Sequence, residues 1–235
     1  GEWFQLFQIG FGGIPGRPVG DGPDGHSLWP GFTNVPNEFI EAYFPLRIEH
    51  YETIPDSGGA GLHRGGNGLS VAYRFLADGT ISVHDERWLT YPWGVRGGEP
   101  GMRSTKRIVR VDGSEEWLPA KAEGIKVKVG DVLHFNTWGG GGWGDPYERD
   151  PELVAADVRR GLVSREGARR YGVVLADDGE VDAAETGALR DKLRSDRGDI
   201  ELFDFGGSIE DIKARCKEET HLDPPRTPTF AAGSG

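Results

Sequence analysis

Short segments that alternate apolar and polar residues, separated by glycine-rich stretches, make up most of the first 147 residues. The plainest is 126–129, Lys-Val-Lys-Val, which Gly130-Asp131 separates from a second apolar segment. Alternation of this kind predicts two short strands joined by a tight turn. The other segments are enriched in β-branched or aromatic residues, as strands are. We predict strands at residues 5–9, 44–51, 69–75, 80–83, 106–111, 124–129 and 132–137.

Beyond residue 147 the pattern becomes helical, with many Glu, Arg, Asp, Ala and Leu residues. These residue types favour helix on balance. Asp150-Pro151 suits an N-cap followed by the first helical position, and Leu153, Val158 and Leu162 follow at helical spacing. We predict helices at about 151–160, 164–171, 182–196 and 208–219, with a short strand at 173–175.

The two patterns together predict an α+β fold, in which a β-rich mixed-sheet domain is followed by C-terminal helices. We place the β-rich domain at residues 1–147 and the helical region at 148–230. Residues 231–235, Ala-Ala-Gly-Ser-Gly, are predicted to be a linker or a tag remnant. The chain enters its first predicted strand without an initiator methionine, which we interpret as a cut end.

Composition narrows the classes of partner. A chain of 235 residues can bury a sizeable core, and the single cysteine, Cys216, excludes an intrachain disulfide and a multi-cysteine zinc cluster. We therefore predict a cytoplasmic protein. The net charge of -11 argues against nucleic acid and anionic membrane surfaces, and no apolar stretch approaches the roughly 20 residues that span a bilayer. Small molecules and other proteins remain as partners.

The run of four glycines at 139–142, followed by Trp143, raises the question of phosphate binding. Bare backbone amides can approach an anion closely, but a nucleotide-binding loop also needs a lysine and a helix that begins at the loop. The run has no lysine, and Trp143 and Pro146 separate it from the first predicted helix. The pattern therefore favours a turn or close packing of the backbone.

Three side chains are candidates for chemistry on their local sequence. His26 lies in a loop with Asp21 and Asp24, where it can serve in acid–base catalysis, although an ordinary surface histidine is the simpler alternative. Arg64 lies in a glycine cluster and offers a planar fork of donors for an anion, unless it pairs with a structural carboxylate. Arg87 follows two acidic residues and could anchor an anion or form part of an exposed strand end.

Several motifs occur in a fixed order along the chain. In this order they resemble the hydantoinase B/5-oxoprolinase family over about residues 10–175. The resemblance is to the C-terminal part of family members. The family is related to the alpha-type subunits of acetone and acetophenone carboxylases. The segments that carry the resemblance include Phe44-Pro45-Leu46-Arg47, the glycine cluster at 57–68, Pro92-Trp93-Gly94, residues 97–101, Val129-Gly130-Asp131-Val132 and residues 139–146.

The resemblance implies a subunit or fragment of a multi-subunit, ATP-dependent enzyme that acts on a cyclic amide. The alternatives it leaves open are a subunit of an ATP-dependent ketone carboxylase and a non-catalytic structural subunit. It also implies ATP and Mg²⁺ on a hydantoinase A-like partner, and an N-terminal hydantoinase B-like portion that holds a divalent metal where one is present. No cofactor or metal is predicted on this chain. An independent β-rich binding module is a further alternative.

Within this chain the resemblance directs attention to five residues. His26 and Glu38 are predicted to act in acid–base catalysis, Asn34 to hydrogen-bond the substrate, and Arg64 and Arg87 to anchor an anion. Where 5-oxoprolinases typically read His-Ser-His-Met-Thr-Asn-Thr-Arg, this chain lacks the second histidine and the arginine. This departure argues against oxoproline as the substrate and for a more apolar one.

Overall fold

The computed structural model describes residues 5–26 and 33–226, so the predicted linker at 231–235 lies outside the described residues. The fold class is α+β, as predicted. The elements, in chain order, are α1 (Asn37–Tyr43), β1 (Leu46–Thr53), β2 (Leu69–Phe75), β3 (Gly79–His84), β4 (Gly94–Val95), β5 (Thr105–Val109), β6 (Glu115–Trp117), β7 (Lys121–Val127), β8 (Val132–Asn136), α2 (Pro151–Arg159), α3 (Ala183–Arg197), β9 (Phe203–Asp204) and α4 (Ile209–Thr220). Short 3-10 helices lie at Pro146–Glu148 and Gly167–Tyr171.

A five-stranded antiparallel sheet, in the order β1-β2-β8-β5-β6, forms the centre of the β-rich part. Its inner face packs against the separate two-stranded sheet of β3 and β7 in a core of Phe75, Ile108, Leu118 and Val127. Because side chains alternate along a strand, the neighbours of these residues point to the opposite face, which we call the outer face. Most outer-face side chains are only partly buried.

The predicted hairpin at 126–133 is wrong. Both strands exist, but β7 pairs with β3, whereas β8 pairs with β2 and β5 in the larger sheet. Gly130, at φ +92°, turns the chain from one sheet to the other, and the Asp131 carboxylate accepts a hydrogen bond from Lys128 N at 3.0 Å. The alternating pattern predicted the strands correctly, but their partners depend on contacts distant in sequence.

The glycine-rich stretches form a second structural layer that we call the glycine bundle, made of residues 12–16, 22–25, 57–68, 92–101 and 138–144. These segments run beside one another and are joined by hydrogen bonds outside the named strands. Gly13 N donates to Trp138 O at 2.8 Å, and Gly16 N donates to Gly141 O at 2.8 Å. Two residues that are three positions apart on one segment thus bond to two residues that are three positions apart on the next.

The run at 139–142 lies in the middle of this bundle. A Cβ atom on Gly139 or Gly142 would meet the carbonyl oxygens of Ser57 or Ala60, at 1.8 and 2.0 Å. The two glycines between them face other segments, since a Cβ on Gly140 would meet Ile14 O at 2.2 Å and one on Gly141 would meet Trp93 O at 1.8 Å. Successive residues therefore point to three neighbours in turn, the spacing of an extended helix with about three residues per turn. Close backbone packing is correct for this run, and a turn at 139–142 is wrong.

The C-terminal helices pack on one side of the glycine bundle. Ala60 from the bundle joins Val154, Val163, Ala168, Tyr171 and Val173 in a second buried core. The predicted N-cap is confirmed, since the Asp150 carboxylate accepts from Glu152 N at 3.0 Å. α4 begins with a capping box formed by Ser208 and Asp211. The domain boundary at residue 147 stays a prediction.

Several local predictions differ from the structure, and the helix predicted at 164–171 is a short 3-10 helix at Gly167–Tyr171. Residues 5–9 form no strand, and at 173–175 only Leu175 makes an isolated bridge, to Val181. α1 was not predicted because Pro36 precedes it and no side chain caps its first turn. None of the described helices has the length and apolar character needed to cross a bilayer.

A salt bridge joins the end of α3 to the end of the glycine bundle. Asp145 is buried and accepts two hydrogen bonds from Arg197, at 2.7 and 2.8 Å. Burial alone would raise the pKa of Asp145, but the hydrogen bonds from Arg197 and Tyr147 N outweigh it and leave this pKa below its ordinary value. The carboxylate therefore contributes stability that is fully present above its unfolded pKa and is lost as the pH falls through the folded pKa.

We expect Asp145→Asn to lower the free energy of unfolding at pH 7 by about 2 kcal/mol, since hydrogen bonds to charged groups contribute roughly this much. The difference from the wild type should shrink as the pH is lowered below about 4, the unfolded value of an aspartate. Urea unfolding between pH 2.5 and 7 measures both effects. Asp191→Asn, on the exposed side of α3, is the matched control and should change little. A pH-independent difference would contradict this assignment.

Candidate functional site

Two predicted site residues, His26 and Asn34, lie near the end of the sheet where β1 ends and β2 begins. His26 is exposed, and its backbone N donates to Gly12 O at 3.0 Å, directly after Gly25, which packs against Leu69. Asn34 donates to the Tyr51 hydroxyl at 2.5 Å. Because Tyr51 pairs with Val71 and Leu69 begins β2, His26 and Asn34 approach the same end of this strand pair.

Glu38 lies close by in sequence, in the first turn of α1, and its side chain is exposed. α1 packs beside β1, where Glu41 accepts a hydrogen bond from Ile48 N at 2.8 Å. Glu38 is therefore exposed to solvent on α1, while its neighbour Glu41 ties the helix to the strand. The catalytic roles of His26 and Glu38 stay predictions.

Arg64 is buried, with 5% of its surface exposed, and its guanidinium is held within the fold. It donates to both carboxylate oxygens of Asp24, at 2.7 and 3.0 Å, and its Nε lies 3.5 Å from Asp157. Asp24 also accepts from Asn67 N at 2.7 Å. This geometry favours the alternative in which Arg64 pairs with a structural carboxylate. It places Arg64 behind the loop that carries His26, as a positioning residue for that loop.

A second buried arginine, which the sequence did not single out, completes this ionic cluster. Arg149 donates to both oxygens of Asp21, at 2.6 and 2.8 Å, and to Asp157 at 2.8 Å. Burial alone would raise the pKa of Asp21. The hydrogen bond and the charge of Arg149 outweigh burial and hold this pKa below its ordinary value. The cluster connects the loop of His26 to α2. No local signal reveals it, since the partners are 128 residues apart.

Arg87 lies apart from the other four predicted residues. Its carbonyl accepts from Ser104 N at 3.0 Å, just before β5, and its guanidinium lies 5.2 Å from the ring centroid of Trp93. β5 is three strands away from β1 in the sheet, which corresponds to about 14 Å. Arg87 therefore lies at the same end of the sheet as His26 and Asn34, but three strands across it.

A buried ion pair lies next to Arg87. Lys106 donates to Asp85 at 2.5 Å, and both side chains are fully buried. Asp85 also accepts from the hydroxyl of Ser104 and from Arg87 N. Burial lowers the pKa of Lys106, against the opposing charge of Asp85. The pair fixes the backbone at Arg87 and leaves the guanidinium over the exposed Trp93.

The backbone amides of the glycine run are used within the glycine bundle. Gly139 N donates to Met102 O at 3.1 Å, Gly140 N to Gly66 O at 2.8 Å and Gly142 N to Glu99 O at 2.9 Å. These amides cannot also cradle a phosphate, so the run does not fit ATP. In the part of the chain that the structure describes, no group of three or more potential metal-ligating side chains is gathered either.

Two histidines that the sequence did not single out come together on the outer face of the sheet. The ring centroids of His50 and His134 lie 5.9 Å apart, and His50 Nε2 lies 2.9 Å from the Ser70 hydroxyl oxygen. The three residues are on different strands, so their proximity follows from strand register and not from sequence spacing. Alternation placed each one on a strand face, but only the observed pairing brings them together.

Known proteins resemble this chain over most of its β-rich part. The family model for hydantoinase B/oxoprolinase matches residues 1–146. The chain belongs to the hydantoinase B/oxoprolinase family. A putative D-/L-hydantoinase B-type subunit from Pseudomonas sp. is 33% identical over 190 residues, covering 80% of this chain and 32% of the relative. The chain thus spans a third or less of the length of the curated relatives it matches, and only 11% of 5-oxoprolinase 1 from Arabidopsis thaliana.

Two solved structures share the fold of this family member. The ATP-dependent caprolactamase from Pseudomonas jessenii superimposes with a TM-score of 0.62 and 30% identity, covering 77% of this chain and 32% of that one. An acetone carboxylase in its nucleotide-free form gives a TM-score of 0.61 and 22% identity, covering 86% of this chain and 31% of that one. The acetone carboxylase match supports the fold alone.

Proposed function

We propose that this chain forms the C-terminal part of a B-type subunit in a multi-subunit enzyme that opens a cyclic amide with hydrolysis of ATP. The observation that carries this proposal is the similarity to ATP-dependent caprolactamase, at 30% identity over 77% of the chain. The hydantoinase relative, at 33% identity, is also named for cyclic amide chemistry. Ketone carboxylation is the second candidate, because a relative named acetophenone carboxylase delta subunit, from Aromatoleum aromaticum, is 27% identical over 219 residues, which cover 78% of this chain.

ATP and Mg²⁺ are proposed to bind a hydantoinase A-like partner, since the glycine run of this chain does not fit a nucleotide. A divalent metal, where the enzyme uses one, is proposed for an N-terminal hydantoinase B-like portion. The contribution of this chain is then to bind and orient the substrate at the sheet end beside His26 and Asn34. The proposed location of the assembly is the cytoplasm.

The exposed side chains at this sheet end suit an amide substrate. Asn34 can donate to the substrate carbonyl when its hydrogen bond to Tyr51 rearranges. His26 and Glu38 can transfer protons, to the leaving nitrogen and from the attacking water, because both are exposed and titratable. Arg87 is proposed to hold an anionic group at a distance from these residues. Arg64 is proposed to act indirectly, by holding Asp24 and thereby the loop that carries His26.

The test measures ADP release and ring-opened product in the assembled complex, with hydantoins and lactams in one series and ketones with bicarbonate in the other. We expect a cyclic amide to stimulate ADP release and to yield the open-chain acid. Stimulation only by a ketone with bicarbonate would favour the second candidate. No stimulation by any compound in either series would overturn both.

Substitution at His26 separates a catalytic role from a scaffold role. We expect His26→Ala to lower kcat about 100-fold, the usual contribution of a general acid or base, while leaving the assembly intact on gel filtration. His84→Ala is the matched control, since His84 is an exposed histidine on β3 in the other sheet. Wild-type turnover in His26→Ala would favour the non-catalytic structural subunit. A stable monomer that binds neither partner nor substrate would favour the independent binding module.

A further inference from the structure

One row of residues crosses all five strands on the outer face of the large sheet. His50 on β1 pairs with Ala72 on β2, which pairs with His134 on β8. His134 in turn pairs with Arg107 on β5, and Arg107 with Trp117 on β6. Directly opposed residues in an antiparallel sheet point to the same face. The row therefore presents two imidazoles, a guanidinium and an indole side by side.

The short side chain of Ala72 leaves room for two histidine rings to meet above it, and we call this position the seat. Ala72 lies between two strands that carry histidines, and its own side chain ends at Cβ. The rings of His50 and His134 approach to 5.9 Å across it, and Ala72 is 0% exposed although it is on the outer face. Adjacent strands are about 4.8 Å apart, so strands β1 and β8 would hold the rings nearly 10 Å apart if they stood upright. The rings lean together over Ala72.

The histidine rings and Arg107 supply hydrogen-bond donors beside this seat. Burial lowers the pKa of His134, and the nearby charges of Arg107 and His50 lower it further, against the opposing influence of Glu115 and Glu49. Arg107 lies 5.4 Å from the Trp117 ring centroid. This stacking fixes the plane of the guanidinium beside His134.

Of the carboxylates near the seat, Glu115 and Glu49 have partners at its edges, and Glu52, opposite Ser70 in the adjacent row, is exposed. Glu115 lies 3.3 Å from Arg107, and Glu49 accepts a hydrogen bond from Arg74 at 2.5 Å. Both carboxylates are more than a third exposed and therefore screened by water. Neither is positioned over Ala72 by the strand register, since Glu115 pairs with Val109 and Glu49 lies in the bulge of β1.

The adjacent row on the same face adds neutral donors. Ser70 pairs with Asn136, and Asn136 pairs with Thr105. The Ser70 hydroxyl lies 2.9 Å from His50 Nε2, and Asn136 Nδ2 reaches Thr105 Oγ1 only at 3.4 Å. The hydroxyl and the amide can both turn toward a ligand above the seat, because each makes a single hydrogen bond that it can exchange.

We propose that this seat binds an oxyanion, with the anion held against the edges of the His50 and His134 rings that cover Ala72 and with Arg107 supplying the fixed charge. Carboxylate and phosphate oxygens match the donors of imidazole and guanidinium groups. A cation is disfavoured because Arg107 is directly opposite His134 in the register. The seat is separate from the sheet end of His26, and the proposal does not depend on the proposed reaction.

The experiment titrates the full 235-residue chain with sodium phosphate at pH 6.5 and constant ionic strength while the histidine ring C–H signals are followed by NMR. A second titration with acetate distinguishes carboxylate from phosphate as the bound form. We expect saturable shifts of the His50 and His134 signals, assigned with His50→Gln and His134→Gln. The signal of His84, exposed on the other sheet, should show no saturable change.

Substitution of Arg107 tests whether the seat is specific. We expect Arg107→Gln to weaken anion binding at least about tenfold, since a hydrogen bond to a charged group contributes enough free energy for that factor. Arg107→Lys keeps the charge without the planar fork and should weaken binding less; it is the second variant if Arg107→Gln unfolds. An anion also favours the charged imidazole, so bound phosphate should raise the pKa of His134.

Three results would overturn the proposal. The first is a shift of the His50 and His134 signals that is linear in anion concentration and equal to that of His84. The second is unchanged affinity in folded Arg107 variants. The third is stoichiometric Zn²⁺ binding that needs both histidines, in a chain that does not respond to phosphate or acetate.

Discussion

Gly141→Ala is expected to lower the free energy of unfolding by more than about 4 kcal/mol, a loss that single substitutions seldom reach. The new Cβ atom would lie 1.8 Å from Trp93 O and 2.6 Å from Trp93 C. A flexible side chain could move away, but these atoms belong to the backbone of a neighbouring segment. That segment is itself held by hydrogen bonds, such as Gly101 N to Pro92 O at 2.9 Å. Relief of the clash therefore requires two segments of the bundle to separate.

Gly187→Ala is the matched control, because it makes the same chemical change where there is room. Gly187 lies inside α3, has no atom within 4 Å of the position a Cβ would take, and adopts no positive φ. Alanine in a helix interior is favoured over glycine by about 0.5–1 kcal/mol, so this variant should be slightly more stable than the wild type. Guanidinium unfolding of both variants measures the contrast. Similar stability of the two would contradict the backbone packing described for the bundle.

Arg149→Met is expected to cost about 3–5 kcal/mol, the range for removing one partner of a buried ion pair. Arg149 is 2% exposed and donates to Asp21 and Asp157. Methionine is similar in length but leaves two carboxylates without their shared partner. Arg64 remains close to Asp157, at 3.5 Å, and can offset only part of the loss.

The loss of stability in Arg149→Met should depend on pH, and the direction of that dependence tests whether the buried carboxylates are its cause. In the wild type Asp21 has a lowered pKa, so its contribution is present above the unfolded pKa and is lost as the pH falls through the folded value. Without Arg149, burial raises the folded pKa of the same carboxylate, and protonation then relieves the penalty. The gap between variant and wild type should therefore narrow as the pH falls below about 5.

Urea unfolding of Arg149→Met between pH 3 and 7 makes this measurement. Arg159→Met is the matched control, since Arg159 is on the exposed surface of the last turn of α2. It should lose less than about 1 kcal/mol, the upper end of a helix-dipole contribution at an exposed site. Equal losses in the two variants would exclude a special role for the buried cluster.

The sequence predicted those parts of the fold that depend on local patterns. β2 was predicted at its observed limits, 69–75, because a β-branched and aromatic segment is bounded by glycines. The N-cap at Asp150 was also predicted, since it depends on residues a few positions apart. The pairing of β7 was missed because the choice of partner is set by the core around Phe75 and Val127.

The candidate site was less accessible to sequence reasoning. His26 and Asn34 were predicted from family resemblance, and the structure brings both near one end of β1 and β2. Arg64 was predicted to anchor an anion because its partner, Asp24, is 40 residues away in the sequence and no local pattern links the two residues. The row through His50 and His134 depends on register across five strands. Alternation assigns a residue to a face, but it does not say which residues are opposite one another.

The glycine bundle has a consequence for how this chain can change. In an ordinary core, a larger side chain can be accommodated when a neighbouring side chain becomes smaller. At Gly139 to Gly142 the neighbours are carbonyl oxygens, which no substitution can trim. A mutation there has no compensating mutation at a second site, whereas the side chains of the outer face and of α1 can be exchanged one by one. The sequence of the bundle is therefore constrained, whereas the binding surfaces around it can change.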